Sequence, residues 1–173
     1  MLDLTRNRRS TRKFTDRNVP GELVALLQEA ALRSPTSKNN RPWEFIFVDD
    51  SELLNRLSEC KPHGASFLKH APLAVVIAAD ASKSDVWVED CAIAAITLQY
   101  AAQSFDLGSC WVQVRKRQHE SGEPAEDAVK KILGLPQSLR VASIIGIGYR
   151  AEHRSPVPAE KLETHKIHFN RYQ

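Results

Sequence analysis

PLAVVIAADASKSDVWVEDCAIAAITLQYAAQSF, residues 72–105, holds the two kinds of element from which the fold is built. Its first part, Pro72 to Asp80, is short, continuous and rich in Val and Ile, the pattern of a strand covered on both faces. Its second part, Val86 to Phe105, reads as the longest helix. There Cys91, Ala92, Ile93, Ala94, Ala95, Ile96, Leu98, Tyr100, Ala101 and Ala102 spread apolar surface around nearly the whole circumference. A helix apolar all round must be covered on more than one side. In a chain of 173 residues, a second subunit is a natural source of part of that cover.

Outward from this stretch, strands and helices continue to intersperse. GELVALLQEAALR, after Pro20, places Leu23, Leu26, Leu27, Ala30 and Ala31 on one helical face and stops at Ser34-Pro35. WEFIFVDD, from Trp43, predicts a strand, and Ser51 to Cys60 a short helix capped by Asp50 or Ser51. Gly108 is expected to end the long helix, with a strand over Ser109 to Val114. Pro124 then opens a helix running to Gly134, and Arg140 to Tyr149 forms the last strand. The polar tail from Ala151 to Gln173 is expected to wrap a neighbour. The class is α/β or α+β, in one domain spanning residues 1–173, since neither a repeat nor a flexible linker interrupts the chain.

Composition narrows the function. With 42% hydrophobic and 26% charged residues the chain is ordinary globular material. No apolar run is long enough to span a bilayer, and the start, MLDLTRNRRS, has no signal-peptide core. Cys60, Cys91 and Cys110 are too few and too scattered for a disulfide framework, so reduced thiols in the cytoplasm are expected. The net charge of +3 is uneven. Residues 1–17 carry Arg6, Arg8, Arg9, Arg12, Lys13 and Arg17 against Asp3 and Asp16, a local +4, which leaves −1 for the rest. Such local charge points to a small anion or an acidic surface near the N-terminus.

Several groups of residues could carry chemistry. Arg8-Arg9-Ser10-Thr11-Arg12-Lys13-Phe14 combines forked guanidinium donors with short hydroxyls, a set suited to phosphate oxygens. In an extended segment Arg8, Ser10 and Arg12 share one face; the same residues also read as a solvated basic terminus. Pro35-Thr36-Ser37-Lys38-Asn39-Asn40-Arg41-Pro42 is a platform of hydroxyls and amides bracketed by prolines, or a plain turn. Gly108, Gly146 and Gly148 allow close approach of a ligand, or simply give neighbouring side chains room. Cys60-x-x-His63 and His165-x-x-His168 lack the further ligands a zinc site needs, so no metal is expected. GxSxG, GxGxxG and Walker loops are absent.

Taken in order, RRSTRKF, PTSKNNRPWEFIFV, Asp90 at the start of the long helix, LGSCWV and IIGIGYR resemble the nitroreductase family of FMN-dependent oxidoreductases, over nearly the whole chain. The resemblance implies an α+β sandwich, a mainly antiparallel sheet flanked by helices, and a homodimer with FMN at the subunit interface. It implies that Arg8, Arg9, Ser10 and Arg12 hold the flavin's phosphate, ribityl and pyrimidine edge. Pro35, Thr36, Ser37 and Asn39 would line the ring from the other subunit. The backbone of Trp111, Val112 and Gln113 would approach N5, and Gly148 with Arg150 would lie near ribityl and phosphate. NADH or NADPH would be the reductant and a nitroaromatic, quinone or similar small molecule the acceptor, with neither nucleic acid nor membrane as partner. A flavin carries the redox chemistry itself, so no catalytic side chain is assigned.

This chain departs from the family pattern at three places. Thr36 stands for the usual serine, Arg41 for the glutamine before Pro-Trp, and Arg150 for the proline after Gly-Tyr. The usual C-terminal arginine is not obvious, with Arg150, Lys161 and Lys166 as candidates. A different class also stays open: a non-enzymatic flavin-binding or flavin-free interaction module whose basic N-terminus contacts nucleic acid or another anionic partner. Its binding would weaken steeply with salt, yet aromatic residues are only 7% and are not interleaved with the cations.

Overall fold

The computed structural model describes residues 1–172. Four strands form one sheet: β1 (Trp43–Val48), β2 (Leu73–Asp80), β3 (Leu107–Gln113) and β4 (Leu139–Tyr149). Their spatial order is β1-β2-β4-β3 and every pairing is antiparallel. The stretch read as a doubly covered strand, β2, is therefore central. Leu73, Val75, Ile77 and Ala79 point to one face, and Ala74, Val76 and Ala78 to the other.

Each face has its own helical layer. Helices α2 (Gly21–Leu32) and α4 (Trp87–Ser104) cover the first, where Leu27, Cys91, Ala95 and Leu98 meet Val75, Ile77, Ile145 and Ile147. Helices α3 (Ser51–Ser58) and α5 (Ala125–Leu133), with the turn Ser66–His70, cover the second. The result is a sheet between two helical layers, as the α+β sandwich expectation requires. Asp50 rather than Ser51 caps α3, accepting the Leu53 N–H at 2.8 Å. The three cysteines are free and buried. Burial pushes the thiols of Cys60 and Cys91 up to about 11 and about 12.

Two local readings need correction. Gly108 does not end the long helix: Asp106, at φ 59°, makes the turn, and Gly108 already lies inside β3. Asp tolerates this left-handed conformation better than most residues because its short side chain can bond locally. Residues before Arg8 were not read as regular structure, yet Leu2–Asn7 forms a short helix, α1, with the Thr5 hydroxyl bonded to Leu2 O. The long helix is bare on one side within this chain, in keeping with the expectation that a second subunit supplies part of its cover: Ala92 and Ile93 are exposed, while Cys91, Ala94, Ala95 and Leu98 are buried. Among the described residues, no helix is long and apolar enough to cross a membrane.

Candidate functional site

The basic N-terminal segment is extended and stitched to the sheet. Ser10 forms a parallel bridge with Ser109, and the Thr11 N–H donates to Ser109 O at 2.9 Å. Farther on, Phe14 bridges Arg150, and the Thr15 N–H donates to Tyr149 O at 2.9 Å. Phe14 anchors the segment by burying its ring beside Phe67. The alternation of an extended chain then sorts the side chains. Thr11 turns inward, while Arg8, Ser10 and Arg12 bear on the thiol of Cys110. Burial raises that thiol's pKa; the Arg12 guanidinium, a hydrogen bond with Ser10, Arg8 and Arg154 each oppose the rise. Arg9 reaches the other way and donates to Ser155 O at 2.6 Å, tying down the start of the tail.

This geometry brings in a cation that the sequence reading passed over. Arg154 stands with Arg8 and Ser10 on a cleft of about 900 Å³ between α1 and the tail. Glu152 holds it, accepting from its guanidinium at 3.1 and 3.2 Å. Two of the three cations proposed for this role are engaged elsewhere. Arg150 donates to Gln103 Oε1 at 2.7 Å and Leu107 O at 2.9 Å, fastening α4 to the sheet, and Lys166 pairs with Glu163 at 2.7 Å. The one available signal for Arg154 was its place just beyond β4, where the tail runs beside the N-terminal segment.

β3 is an edge strand, and its open side is the second component. Because Ser109 O faces outward to Thr11, alternation turns the amides of Trp111 and Gln113 to the same free edge. Val112 is different: its side chain is fully buried and its backbone lies opposite Ile144 of β4. The indole of Trp111 donates to Gln113 Oε1 at 3.0 Å, and Gln113 Nε2 to Arg115 O at 2.8 Å, which fixes both side chains along the edge. Gly148 has a packing reason to lack a side chain. A Cβ there would fall 2.5 Å from Pro72 Cδ and 3.0 Å from Phe14 Cδ1, so the space is filled by the protein.

The polar loop is the third component. Pro35 prevents α2 from continuing, and Ser37–Asn39 forms a single tight turn. Lys38, Asn39 and Arg41 all have left-handed φ angles of 49°, 57° and 48°. Such non-glycine conformations cost roughly 1–2 kcal/mol each and persist only where surroundings hold them. Here the holder is Asp90, 1% exposed, whose carboxylate accepts the Ser37 N–H and the Ser84 hydroxyl, both at 2.8 Å. Thr36 Oγ1 accepts the Arg41 N–H at 3.0 Å, and Asn39 Oδ1 accepts Arg41 Nε at 2.9 Å.

Within one chain these components do not meet. The loop is fixed to Asp90 in the first turn of α4, whereas the N-terminal cluster and Arg150 lie by Gln103 in its last turn. At the helical rise those positions are about 20 Å apart. Pro35, Thr36, Ser37 and Asn39 thus sit by one end of α4, and Arg9, Thr11, Arg150 and Arg154 by the other, with Arg8, Ser10 and Arg12 on the opposite side of the same extended segment, toward Cys110.

An antiparallel sheet between two helical layers, with a basic cleft along its edge, is the frame of the nitroreductase-type oxidoreductases. The Nitroreductase family profile matches residues 5–61 and 58–149, and this chain belongs to the nitroreductase family. A solved structure described as an FMN-dependent nitroreductase from Clostridium difficile R20291 is 44% identical, covers 99% of each chain and superposes with a TM-score of 0.97. A protein of Methanothermobacter thermautotrophicus, provisionally named an NADH dehydrogenase/NAD(P)H nitroreductase, is 34% identical over 99% of this chain and 87% of its own length. An iodotyrosine deiodinase of Thermotoga neapolitana is 22% identical over 94% of this chain and 95% of its own.

Proposed function

We propose that two copies of this chain form an FMN-dependent NAD(P)H oxidoreductase that reduces a nitroaromatic, a quinone or a related small acceptor. The observation that carries this is the separation of the two half-sites by the length of α4. In a two-fold dimer the same patch meets itself. Pairing α4 antiparallel with its copy, through the bare face around Ala92 and Ile93, would bring the loop of one subunit to the N-terminal cluster of the other.

The donor set fits the group. Arg8, Arg12 and Arg154, with Ser10, offer the forked charges and short hydroxyl that a phosphomonoester takes. The free amides of Trp111 and Gln113 suit the hydrogen-bonding edge of a flat heterocycle. When bound, FMN supplies hydride acceptance and release at its ring. The chain's residues bind, orient and exclude water. Of Arg8 and Arg12, one would share the phosphate with Arg154 and Ser10 and the other would hold fixed positive charge toward the pyrimidine edge, where negative charge accumulates on reduction. Thr36, Ser37 and Asn39 close the site from the partner, on a loop kept rigid by Asp90. Because the cations converge on one spot by Cys110 rather than along a surface, a small anion suits them better than a nucleic acid.

The test is direct. Purified protein should be yellow and dimeric, and should bleach when NADH or NADPH is added without oxygen. A colourless preparation that takes up no added FMN overturns the reading.

A further inference from the structure

β3 has cations at both ends. Beyond Gln113 the chain turns through Arg115, Lys116 and Arg117, and Arg115 lies about 20 Å along the strand direction from Ser109. FMN has a single phosphate, which the cluster of Arg8, Arg12 and Arg154 accounts for. The second cluster needs another anion.

It opens on a cleft of about 620 Å³ between the end of β3 and the start of α5, lined by Arg115, Lys116, Arg117, Arg140 and Glu126. Glu126 is the one acid there, and it is already committed. Arg140 donates to its two oxygens at 2.7 and 2.9 Å, and the Val141 N–H adds a contact at 3.3 Å. Among the described residues, no acid pairs with Arg115, Lys116 or Arg117. Arg115 Nε is buried with no acceptor, although its guanidinium is held 5.6 Å over the ring of Trp87. Lys116 is kept at a left-handed φ of 58°. Lys61 faces the same group from α3's side, and burial together with Arg117 pulls its ammonium pKa down. Like charges gathered around open space, with one fork unsatisfied, describe a seat for an anion.

On the flavin reading proposed above, the geometry points to this cleft as the seat of a phosphate group of the dinucleotide reductant, with Arg115 and Arg117 as its donors. Gln113 lies just before the cleft, so a nicotinamide beside the Gln113 amide would carry its phosphates toward Arg115–Arg117. Two phosphates share this chemistry: the 2′-phosphate peculiar to NADPH, and the pyrophosphate common to NADH and NADPH.

The experiment is calorimetric titration of the purified protein with 2′,5′-ADP and with 5′-ADP, for wild type, Arg117→Gln and Arg115→Lys. Flavin content is recorded on the same samples. Arg117 is exposed and its side chain bonds only to Lys116 O, so its variant should fold even if the Arg115 variant does not. Loss of one charge-assisted bond should weaken probe binding about ten- to a hundredfold. If the 2′-phosphate is held, 2′,5′-ADP weakens, 5′-ADP does not, and the NADPH KM alone rises. If the pyrophosphate is held, 5′-ADP weakens, 2′,5′-ADP weakens no more than its lone 5′-phosphate allows, and both KM values rise; either pattern supports the proposal. Yellow wild-type protein whose probe affinities match those of Arg117→Gln, or which binds neither probe, overturns this proposal alone. Colourless wild-type protein overturns the flavin reading and this one with it.

Discussion

The carboxylate of Asp90, in the first turn of α4, accepts the backbone N–H of Ser37, 53 residues earlier in the chain, at 2.8 Å. Its other oxygen takes the hydroxyl of Ser84, itself buried. This pair lets a loop with three left-handed residues keep one shape, and a loop with one shape can line a flat ligand without losing entropy on binding.

Asp90→Ala would leave a part-buried N–H and a buried hydroxyl without acceptors, each costing about 1–3 kcal/mol. The variant should therefore lose about 2–6 kcal/mol, read as a lowered urea midpoint at unchanged slope. It should also lose flavin more readily. A midpoint equal to wild type would show that the loop holds itself.

Arg154 and Arg150 should behave differently although both follow β4. Arg154→Gln, like Arg8→Gln and Arg12→Gln, should weaken FMN binding about ten- to a hundredfold with little change in melting. Arg150→Gln removes donors to Gln103 and Leu107, so it should lower the melting temperature first. Mixed dimers joining an Arg12→Ala subunit to an Asn39→Ala subunit should regain one intact site. Equal flavin retention in all of these variants would dismiss the assignment.

The contrast shows what the sequence could and could not disclose. β2 and β4 were legible because continuous Val/Ile runs admit few other structures, and α3 and α5 because cap and proline marked their starts. The extended course of the N-terminal segment was legible because Arg8, Ser10 and Arg12 recur at the period of extended chain; that these residues hold a phosphate is the proposal made above. Arg154 was hidden, since its role comes from the tail folding back beside Arg8 over a long sequence separation. Gly148 was ambiguous for a related reason: only Pro72 and Phe14, brought close by the fold, reveal which need its missing side chain serves. The turn at Asp106 was masked by the neighbouring glycine.

Gly148→Ala tests that point. The new methyl would meet the Pro72 ring at 2.5 and 2.7 Å, and a proline ring cannot swing aside. Overpacking of this kind costs typically 1–3 kcal/mol. Gly21→Ala has nothing within 4 Å and a helical backbone, so it should be neutral or stabilise by a few tenths to about 1 kcal/mol. Thermal melts of the two variants should move in opposite directions, or at least differ by that margin.

Acid should act through Glu126. The Arg140 guanidinium, bonded to it in the native state, holds this carboxyl below the usual range. A lowered native pKa means that the contribution is complete above the unfolded value, about 4.3, and is lost as pH falls through the native value. Glu126→Gln should thus be less stable than wild type at pH 7, and the gap should close below about pH 4.3. Thermal midpoints measured from pH 7 to 3 check it; a gap that persists unchanged at pH 3 would refute the linkage.

The dimer is tested most sharply on α4. Ile93 is 39% exposed beside exposed Ala92, while Ala94, Ala95 and Leu98 on the same helix are buried. The tail adds Val157, Leu162, Ile167 and Phe169, all exposed and apolar, with Phe169 at 80%. Apolar surface on both features is what the proposed second copy would cover. Ile93→Arg would place a charge within the proposed interface, about one turn from its centre near Ile96 and at a residue assigned no contact with the flavin. Light scattering should show the mass halved, and the same sample should lose its yellow colour because each site draws on both subunits. Helical content by circular dichroism should stay near that of wild type, separating dissociation from unfolding. A dimeric, fully flavinated Ile93→Arg protein would move the interface off α4 and break the link between assembly and cofactor binding.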